Sequence, residues 1–330
     1  MELAASLRTA ARAVLAVTAL TLVVSCSHSE SGGTITVGAG SSAQSDLIAE
    51  IYAGALARTG AHTVVSARLG GRPDLLAALD ADRVTLVGDD SGDLLTALDP
   101  RSTARIPDPE SAAAQASEAT GTTVAQAEPG SSVSDALSRA LPEGLAISDI
   151  ADGTDLRPDF VLSAAQAARL PHSLKDLAAH CGELTVGIAT GSELDPLRPG
   201  PNPQRDVLTP LRQVYGCDIT HYTIYHSDTA LRDALRGGRI QAGVLTAPAT
   251  LLPGGAGDLV VAADPDYAFR AQNIVPLFRQ GSLTGTQIKK LNYVAGELTT
   301  ADLTTLTRRL RDEHASAADL ARGWLDEHDL

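Results

Sequence analysis

The sequence predicts an α/β protein built as two αβ lobes joined by a two-stranded hinge. Three observations carry that expectation. Strand and helix signals alternate in two separate sets, as they do where parallel strands are connected through helices. One extended segment precedes the second set and another follows it, so the chain must pass between lobes twice. At 330 residues, with 44% apolar and 20% charged residues, the chain is long enough for two cores and too apolar to remain disordered.

The elements follow in order. Residues 1–25 carry Arg8 and Arg12, then a run from Ala13 to Val24 that is apolar except for Thr18 and Thr21, then Ser25. This is the pattern of a signal peptide, with an apolar run too short to span a membrane comfortably. Val23-Val24-Ser25-Cys26 resembles a bacterial lipobox, in which Cys26 is lipidated; an ordinary secretory signal is the alternative. Residues 26–33 then form the lipidated Cys and a short polar tether, and the expected location is extracytoplasmic, anchored to the cell membrane through Cys26. Lobe I is expected over 34–149 plus 264–330. It opens with the strand TITVG, the turn GAGSSAQ and a helix on which Leu47, Ile48, Ile51, Tyr52, Ala55 and Leu56 share a face. The strand HTVVSA, the turn LGGRPD, a helix through LLAALD, the strand RVTLV and the turn GDDSGD complete a βαβαβ set. Asp99 to Pro142, rich in Ala, Ser, Thr and Glu, reads as loops and a polar helix covering the lobe.

Lobe II is expected over 150–263, entered through the extended LAISDIADGTDLRPDFVLS. Its order is the helix SLKDLAAH, the strand LTVGIA, a Pro/Gly-rich loop from Asp195 to Pro203, the helix VLTPLRQVYG, the strand ITHYTIY, the helix DTALRDALRGG and the strand IQAGVL. DLVVAADPDYAFRAQNIVPLF leads back to lobe I. Three helices end the chain, the second with Thr300 and the third with Ser316 as expected N-caps, and they are assigned to lobe I because lobe II has no counterpart. Cys181 precedes LTVGIA and Cys217 precedes ITHYTIY at nearly the same offset. If those runs are adjacent parallel strands, the thiols lie at one edge within disulfide reach; two buried free thiols are the alternative. A metal site is the weaker reading, since His180 and His221 are not at ligand spacing.

The composition narrows the partners. With 26 Lys+Arg against 40 Asp+Glu, the formal charge of −14 repels phosphate backbones and anionic headgroups, which argues against nucleic acid and against membrane contact beyond the anchor. Aromatic residues are 3% of the chain, few rings with which to stack a base or box in a cation. In lobes of this kind ligands sit beyond the carboxyl ends of the strands. That places Ser41, Ser42 and Gln44, the stretch from Gly70 to Asp74, then Asp89, Asp90, Ser91 and Asp93 in lobe I, with Thr190 to Glu193 and His226 to Thr229 in lobe II. Ser45, Asp74, Asp93 and Asp228 read most simply as helix caps. GAGSS lacks the third Gly of a dinucleotide turn and the Gly-Lys of a P-loop, no Gly-x-Ser-x-Gly elbow occurs, and no cluster completes a catalytic set or a metal site, so neither catalytic residues nor a cofactor are assigned.

The lipobox and ITVGAGSSAQSDLIAEIYAGAL resemble the glycine betaine, choline, carnitine and proline class of ABC-transporter substrate-binding lipoproteins. So do RLGGRPDLLAALDADRVTLVGDDSGDLLTALDP, ADPDYAFRAQNIVPLF and LTTADLTTL followed by WLDEHDL; Asp99 to Pro142 and Asp195 to Pro203 match poorly. The resemblance implies a type II periplasmic-binding-protein fold that closes on a small polar solute for an ABC permease, as a monomer and without covalent chemistry. It also implies an aromatic residue in the first loop and a Glu-Tyr pair after the third strand, holding a quaternary ammonium. Here those places are Ser42 and Asp89-Asp90. A desolvated cation–π contact contributes about 2 kcal/mol, so losing two weakens such binding by roughly a thousandfold. The lining set expected is Ser41, Ser42, Asp89, Asp90, Thr190, Tyr225, Thr229, Tyr267, Phe269 and Asn273, with Asp90 as cation partner and Tyr267 or Phe269 as a ring wall. Two rivals stand beside this reading. One is a hydrolase or lyase using Asp89 or Asp90 as base. The other is a surface lipoprotein that keeps the fold but recognises a protein partner, which a cleft filled by its own side chains would favour.

Overall fold

The computed structural model describes residues 33–107 and 132–330. The signal peptide, Cys26, the tether up to residue 32 and the polar segment 108–131 lie outside the described residues. The chain runs β1 (Ile35–Gly38), α1 (Ala43–Ala57), β2 (Thr63–Ser66), α2 (Arg72–Asp80), β3 (Leu86–Asp90), α3 (Ser91–Leu98), α4 (Val133–Ala140) and β4 (Leu145–Ile147). It continues with β5 (Phe160–Leu162), α5 (Ala164–Ala167), α6 (Leu174–Leu177), β6 (Thr185–Ala189), α7 (Thr209–Tyr215), β7 (His221–Tyr225), α8 (Asp228–Arg236), β8 (Ala242–Val244) and β9 (Val260–Ala262). The last elements are β10 (Ile274–Arg279), α9 (Gly285–Glu297), α10 (Thr300–Asp312) and α11 (Ala317–Glu327).

Two five-stranded sheets result, ordered β2-β1-β3-β10-β4 and β7-β6-β8-β5-β9. They repeat one plan. In each, three strands joined through helices lie parallel, with the first of them in the middle, and an antiparallel strand follows on one side. The central parallel strands β1 and β6 are buried on both faces because helices cover both, which is why TITVG and LTVGIA read as short apolar runs rather than alternating ones, whereas the edge strands β2 and β7 are half-buried or exposed. In the first lobe α1 lays Leu47, Ile48, Ile51 and Leu56 against β1, and Leu291, Leu303, Leu320 and Trp324 of α9 to α11 join the same core. Leu75, Leu79, Leu94, Leu95 and Leu137 fill the opposite face. In the second lobe Phe160, Val186, Ile188 and Leu211 form one core layer and Leu231, Leu235 and Leu252 the other.

Between the sheets the chain passes twice, and the two crossings run beside each other. Ala151 bridges Ile274 in antiparallel register, the Leu156 N–H donates to the Gln272 carbonyl at 2.9 Å and the Ile274 N–H to Thr154 Oγ1 at 2.9 Å. Arg157 clamps them from the side: it pairs with Asp155 at 2.7 Å and with Asp264 at 3.2 Å, while the Tyr267 ring lies 3.9 Å from its guanidinium carbon. At the far edge of the second sheet, where β6 and β7 begin side by side, Cys181 and Cys217 are joined in a disulfide with Cα atoms 5.3 Å apart.

Several local expectations change. The polar string GDDSGD forms no turn: β3 starts three residues later than RVTLV and ends with Asp89 and Asp90, which pair with Val275 and Ile274, and α3 begins at once with Ser91. Carboxylates can end a buried strand here because guanidinium groups meet them. Ser42, not Ser45, caps α1, while Ser45 Oγ accepts from the Gly40 N–H at 2.8 Å. Gly71 is the cap of α2 and Asp74 closes the box by accepting its N–H at 2.9 Å. Ser227 caps α8, leaving Asp228 to accept from the Thr246 N–H at 2.7 Å and its hydroxyl at 2.9 Å. The cap of α10 is Thr299, one residue before the expected Thr300, and Ser316 caps α11.

Candidate functional site

The parallel strands of both sheets point their carboxyl ends at the junction of the lobes, and the charged side chains gathered there are buried. Asp89 and Asp90 end β3, Arg72 opens α2 after β2, and Asp93 lies in the first turn of α3. From the second lobe the loop after β6 brings Asp195, Leu197 and Arg198. Arg72 holds Asp89 with Nε at 2.8 Å and Nη2 at 2.8 Å, a bidentate fork, and sends Nη1 toward the Leu197 carbonyl at 3.4 Å. Arg198 crosses the junction: Nη2 donates to Asp90 Oδ2 at 3.0 Å, Nε to Asp93 Oδ2 at 3.2 Å, and Nη1 to the carbonyls of Leu156 at 2.7 Å and Thr246 at 2.9 Å. Gln44 donates to the other Asp90 oxygen at 3.1 Å and Gln272 to Asp93 at 2.8 Å. Asp90 is 2% exposed and Arg198 7%.

The loop is seated by close backbone approaches. A Cβ at Gly40 would lie 2.8 Å from Leu197 side-chain carbons, and one at Gly200 would lie 2.1 Å from the Thr190 carbonyl oxygen. Only a residue without a side chain lets Leu197 and Arg198 reach the first lobe and lets the loop fold back on itself. What remains between Ser42, Gln44, Arg72, Asp89, Asp90 and Leu197 is a cavity of about 10 Å³, about the least that holds one water. A larger opening of about 690 Å³ lies beside β4, α4 and residues 148–153, and Ser91 and Asn273 also line it.

Four carboxylates face two guanidinium groups in this cluster, so it holds an excess of negative charge. Burial raises the Asp90 carboxyl to about 6, with Arg198 opposing and Asp195 and Asp93 adding to the rise. Burial also raises Asp89, against the pull of Arg72, and Asp195, against that of Arg198. For both arginines burial works against the charge, but the facing carboxylates more than offset it and the guanidinium groups stay ionised. Asp159, which accepts from the Ala249 N–H at 2.7 Å, is likewise raised by burial to about 6. A carboxyl raised in the fold above its unfolded value stabilises fully below the unfolded pKa, near 3.8, and loses that contribution as pH rises through about 6. Urea denaturation should therefore find the protein more stable at about pH 5 than at about pH 7; equal stability at the two pH values, or higher stability at about pH 7, would mean that Asp90 and Asp159 are solvated.

Of the residues expected from sequence, the structure brings Ser42, Asp89 and Asp90 to this cavity. Ser41 is at the exposed rim, its N–H on the Gly70 carbonyl at 3.0 Å. Thr190, Tyr225 and Thr229 gather on the second lobe apart from the aspartates: Thr190 Oγ1 bonds the Tyr225 carbonyl at 3.3 Å, and Thr229 donates to Glu193 from its N–H at 2.8 Å. Asn273 lines the larger opening rather than the small cavity, and it braces the crossing, its side chain donating to the Thr154 carbonyl and its backbone N–H to Ser91 Oγ. Phe269 sits in the core of the second lobe, and Tyr267 covers Arg157. Neither ring is among the residues lining the small cavity, because each is used in a core or at the crossing. Arg198 and Asp195 were missed. Their signal was an Asp and an Arg three apart in a Pro/Gly-rich loop at a strand end, opposite unpaired carboxylates.

Two αβ lobes, a paired crossing and polar groups from both lobes meeting at strand ends define a two-lobed solute-binding protein of the type II periplasmic class. The comparisons with known proteins agree. Residues 33–327 match the substrate-binding domain of ABC-type glycine betaine transport systems, and the chain belongs to that family. Its fold is similar to the crystal structure of a glycine betaine/carnitine/choline ABC transporter protein, at 17% identity and a TM-score of 0.66, over 90% of this chain and 98% of that one. It is also similar to apo YehZ from Escherichia coli, at 15% identity and a TM-score of 0.62, over 89% and 98% of the two chains. Compared sequence against sequence with curated proteins, the chain matches none. Among the described residues, no helix is long and apolar enough to cross a membrane.

Proposed function

We propose that the chain is a lipid-anchored receptor, held outside the cytoplasm by Cys26, that closes its lobes on a small solute and presents it to an ABC permease without transforming it. The observation that supports a cationic solute is the surplus of carboxylates where the lobes meet: Asp89, Asp90, Asp93 and Asp195 against Arg72 and Arg198. A protein of similar fold belongs to a glycine betaine/carnitine/choline ABC transporter. In this chain the carboxylates favour a cation that donates hydrogen bonds over a methylated one, because a quaternary ammonium cannot repay their desolvation. Ser42, Asp89 and Asp90 are the lining residues this reading retains.

Calorimetry of the chain from Ser27 onward, titrated with betaine, choline, carnitine, proline, polyamines and guanidinium compounds, tests it. Binding at micromolar to low millimolar concentration by an N–H-bearing cation, weakened at least tenfold in Asp90→Asn, is the expected result. Turnover of any panel member that Asp90→Asn abolishes would instead establish the enzyme reading. A second reading, recognition of a protein partner by a solute-free body, is favoured by one observation: the closed cleft has about 10 Å³ left. Absence of binding across the whole panel is what that reading requires.

A further inference from the structure

We infer that Arg198 is a tethered ligand. Its guanidinium occupies the solute position between the lobes, holds them closed when no solute is present, and admits only those external cations whose N–H groups can take over its acceptors. The inference rests on the interlobe reading of the site above and adds to it the identity of the occupant.

The geometry is that of a bound small molecule rather than of a surface ion pair. The acceptors of Arg198 come from four places: Asp90 on β3, Asp93 on α3, the Leu156 carbonyl on the crossing and the Thr246 carbonyl after β8. They thus belong to the first lobe, the second lobe and the segment between them. A core arginine that merely braces its own lobe has no need of all three. The group is nearly fully desolvated, and the cavity lined by its partner Asp90 and by its neighbour Leu197 has about 10 Å³, too small for a solute. The other arginine of the cluster does not share this character: Arg72 opens α2 and forks onto Asp89 in its own lobe, so it belongs to the wall. The tether is the irregular stretch between β6 and Asn202, held to the first lobe by Leu197 against Gly40 and by the Leu197 carbonyl on Arg72. Moving this loop away would uncover Asp90 and Asp93 without breaking either sheet.

Two consequences follow from tethering. A ligand on a short flexible link has an effective concentration in the millimolar range or above, so a free competitor binds the wild type with an affinity reduced by about the ratio of that concentration to the tethered group's own dissociation constant. Selectivity follows from the acceptors: two carboxylates and two carbonyls are satisfied by guanidinium or primary ammonium N–H groups and left unpaired by a trimethylammonium.

The test is chemical rescue, read by thermal unfolding and calorimetry on the chain from Ser27. Arg198→Ala should melt at a lower temperature than wild type and regain stability as methylguanidine is added at millimolar concentration, while tetramethylammonium does nothing. Wild type should respond to methylguanidine about tenfold more weakly than Arg198→Ala does. Arg198→Gln, which is shorter but keeps two N–H donors and carries no charge, serves as second variant should the alanine chain fail to fold, and it should show intermediate stability. If tetramethylammonium or glycine betaine rescues Arg198→Ala as well as methylguanidine does, the cleft is a solute site but the tethered-ligand inference is wrong. If neither variant loses stability and no cation binds either, both the inference and the interlobe reading fail.

Discussion

Arg72→Met is expected to lower the free energy of unfolding by about 3–5 kcal/mol near neutral pH, the cost of leaving one partner of a buried ion pair uncompensated. Asp89 has an exposure of 7% and receives three hydrogen bonds from Arg72. With the guanidinium gone, the Asp90 N–H at 2.8 Å is the donor that remains to it. The carboxyl, already raised by burial, would rise further, so the deficit should shrink as pH is lowered and the acid becomes neutral. The double variant Arg72→Met with Asp89→Leu should recover most of the loss, because apolar volume replaces both charges. Urea denaturation of the two single variants and the double variant forms the cycle. A single-variant loss below about 1 kcal/mol, the range of exposed pairs, would show that water reaches Asp89.

Removing the disulfide is the second large effect. Cys181 and Cys217 are 36 residues apart, and cross-linking a loop of that length stabilises the fold by roughly 4 kcal/mol in the chain-entropy treatment. Cys181→Ser with Cys217→Ser should lose about 2–4 kcal/mol by urea denaturation, and dithiothreitol should bring wild type to the same value. The consequence is not limited to stability. The bridge closes the segment that contains β6, the Arg198 loop and α7, so it fixes the base from which Arg198 reaches the first lobe. A double serine variant as stable as wild type would mean that the packing of β6 on β7 alone positions this segment.

The alternation that predicts two αβ lobes was legible because parallel strands buried on both faces and amphipathic helices differ plainly in period. LTVGIA and ITHYTIY marked two adjacent parallel strands, and the positions of Cys181 and Cys217 before them placed both sulfurs at one edge. Sequence and structure part where a polar residue has a partner far away in the chain. Asp89 and Asp90 looked like a turn because a carboxylate at the end of a buried strand is costly without a partner. The partner of Asp89 is 17 residues away and that of Asp90 is 108 away, beyond any local pattern. Thr299 and Thr300 both make acceptable caps, and only the backbone of the helix start distinguishes them.

The site was half legible. Strand ends identify where a ligand belongs, so Ser42, Asp89 and Asp90 could be named from position alone. Arg198 could not, because a Pro/Gly-rich loop carries no period from which its direction can be read. The scarcity of rings was visible in composition, but its meaning depended on what replaced them. Tyr267 and Phe269 are consumed by the crossing and by a core, and a guanidinium rather than an aromatic cage sits among the carboxylates.

That the chain closes on its own arginine is tested most directly by small-angle scattering of the solute-free chain from Ser27, compared with Arg198→Ala under the same conditions. The account predicts that wild type without solute already scatters as the closed two-lobed body, and that the variant is more extended until methylguanidine is supplied. A wild type that scatters as an open body and contracts only when glycine betaine or another solute is added would contradict it.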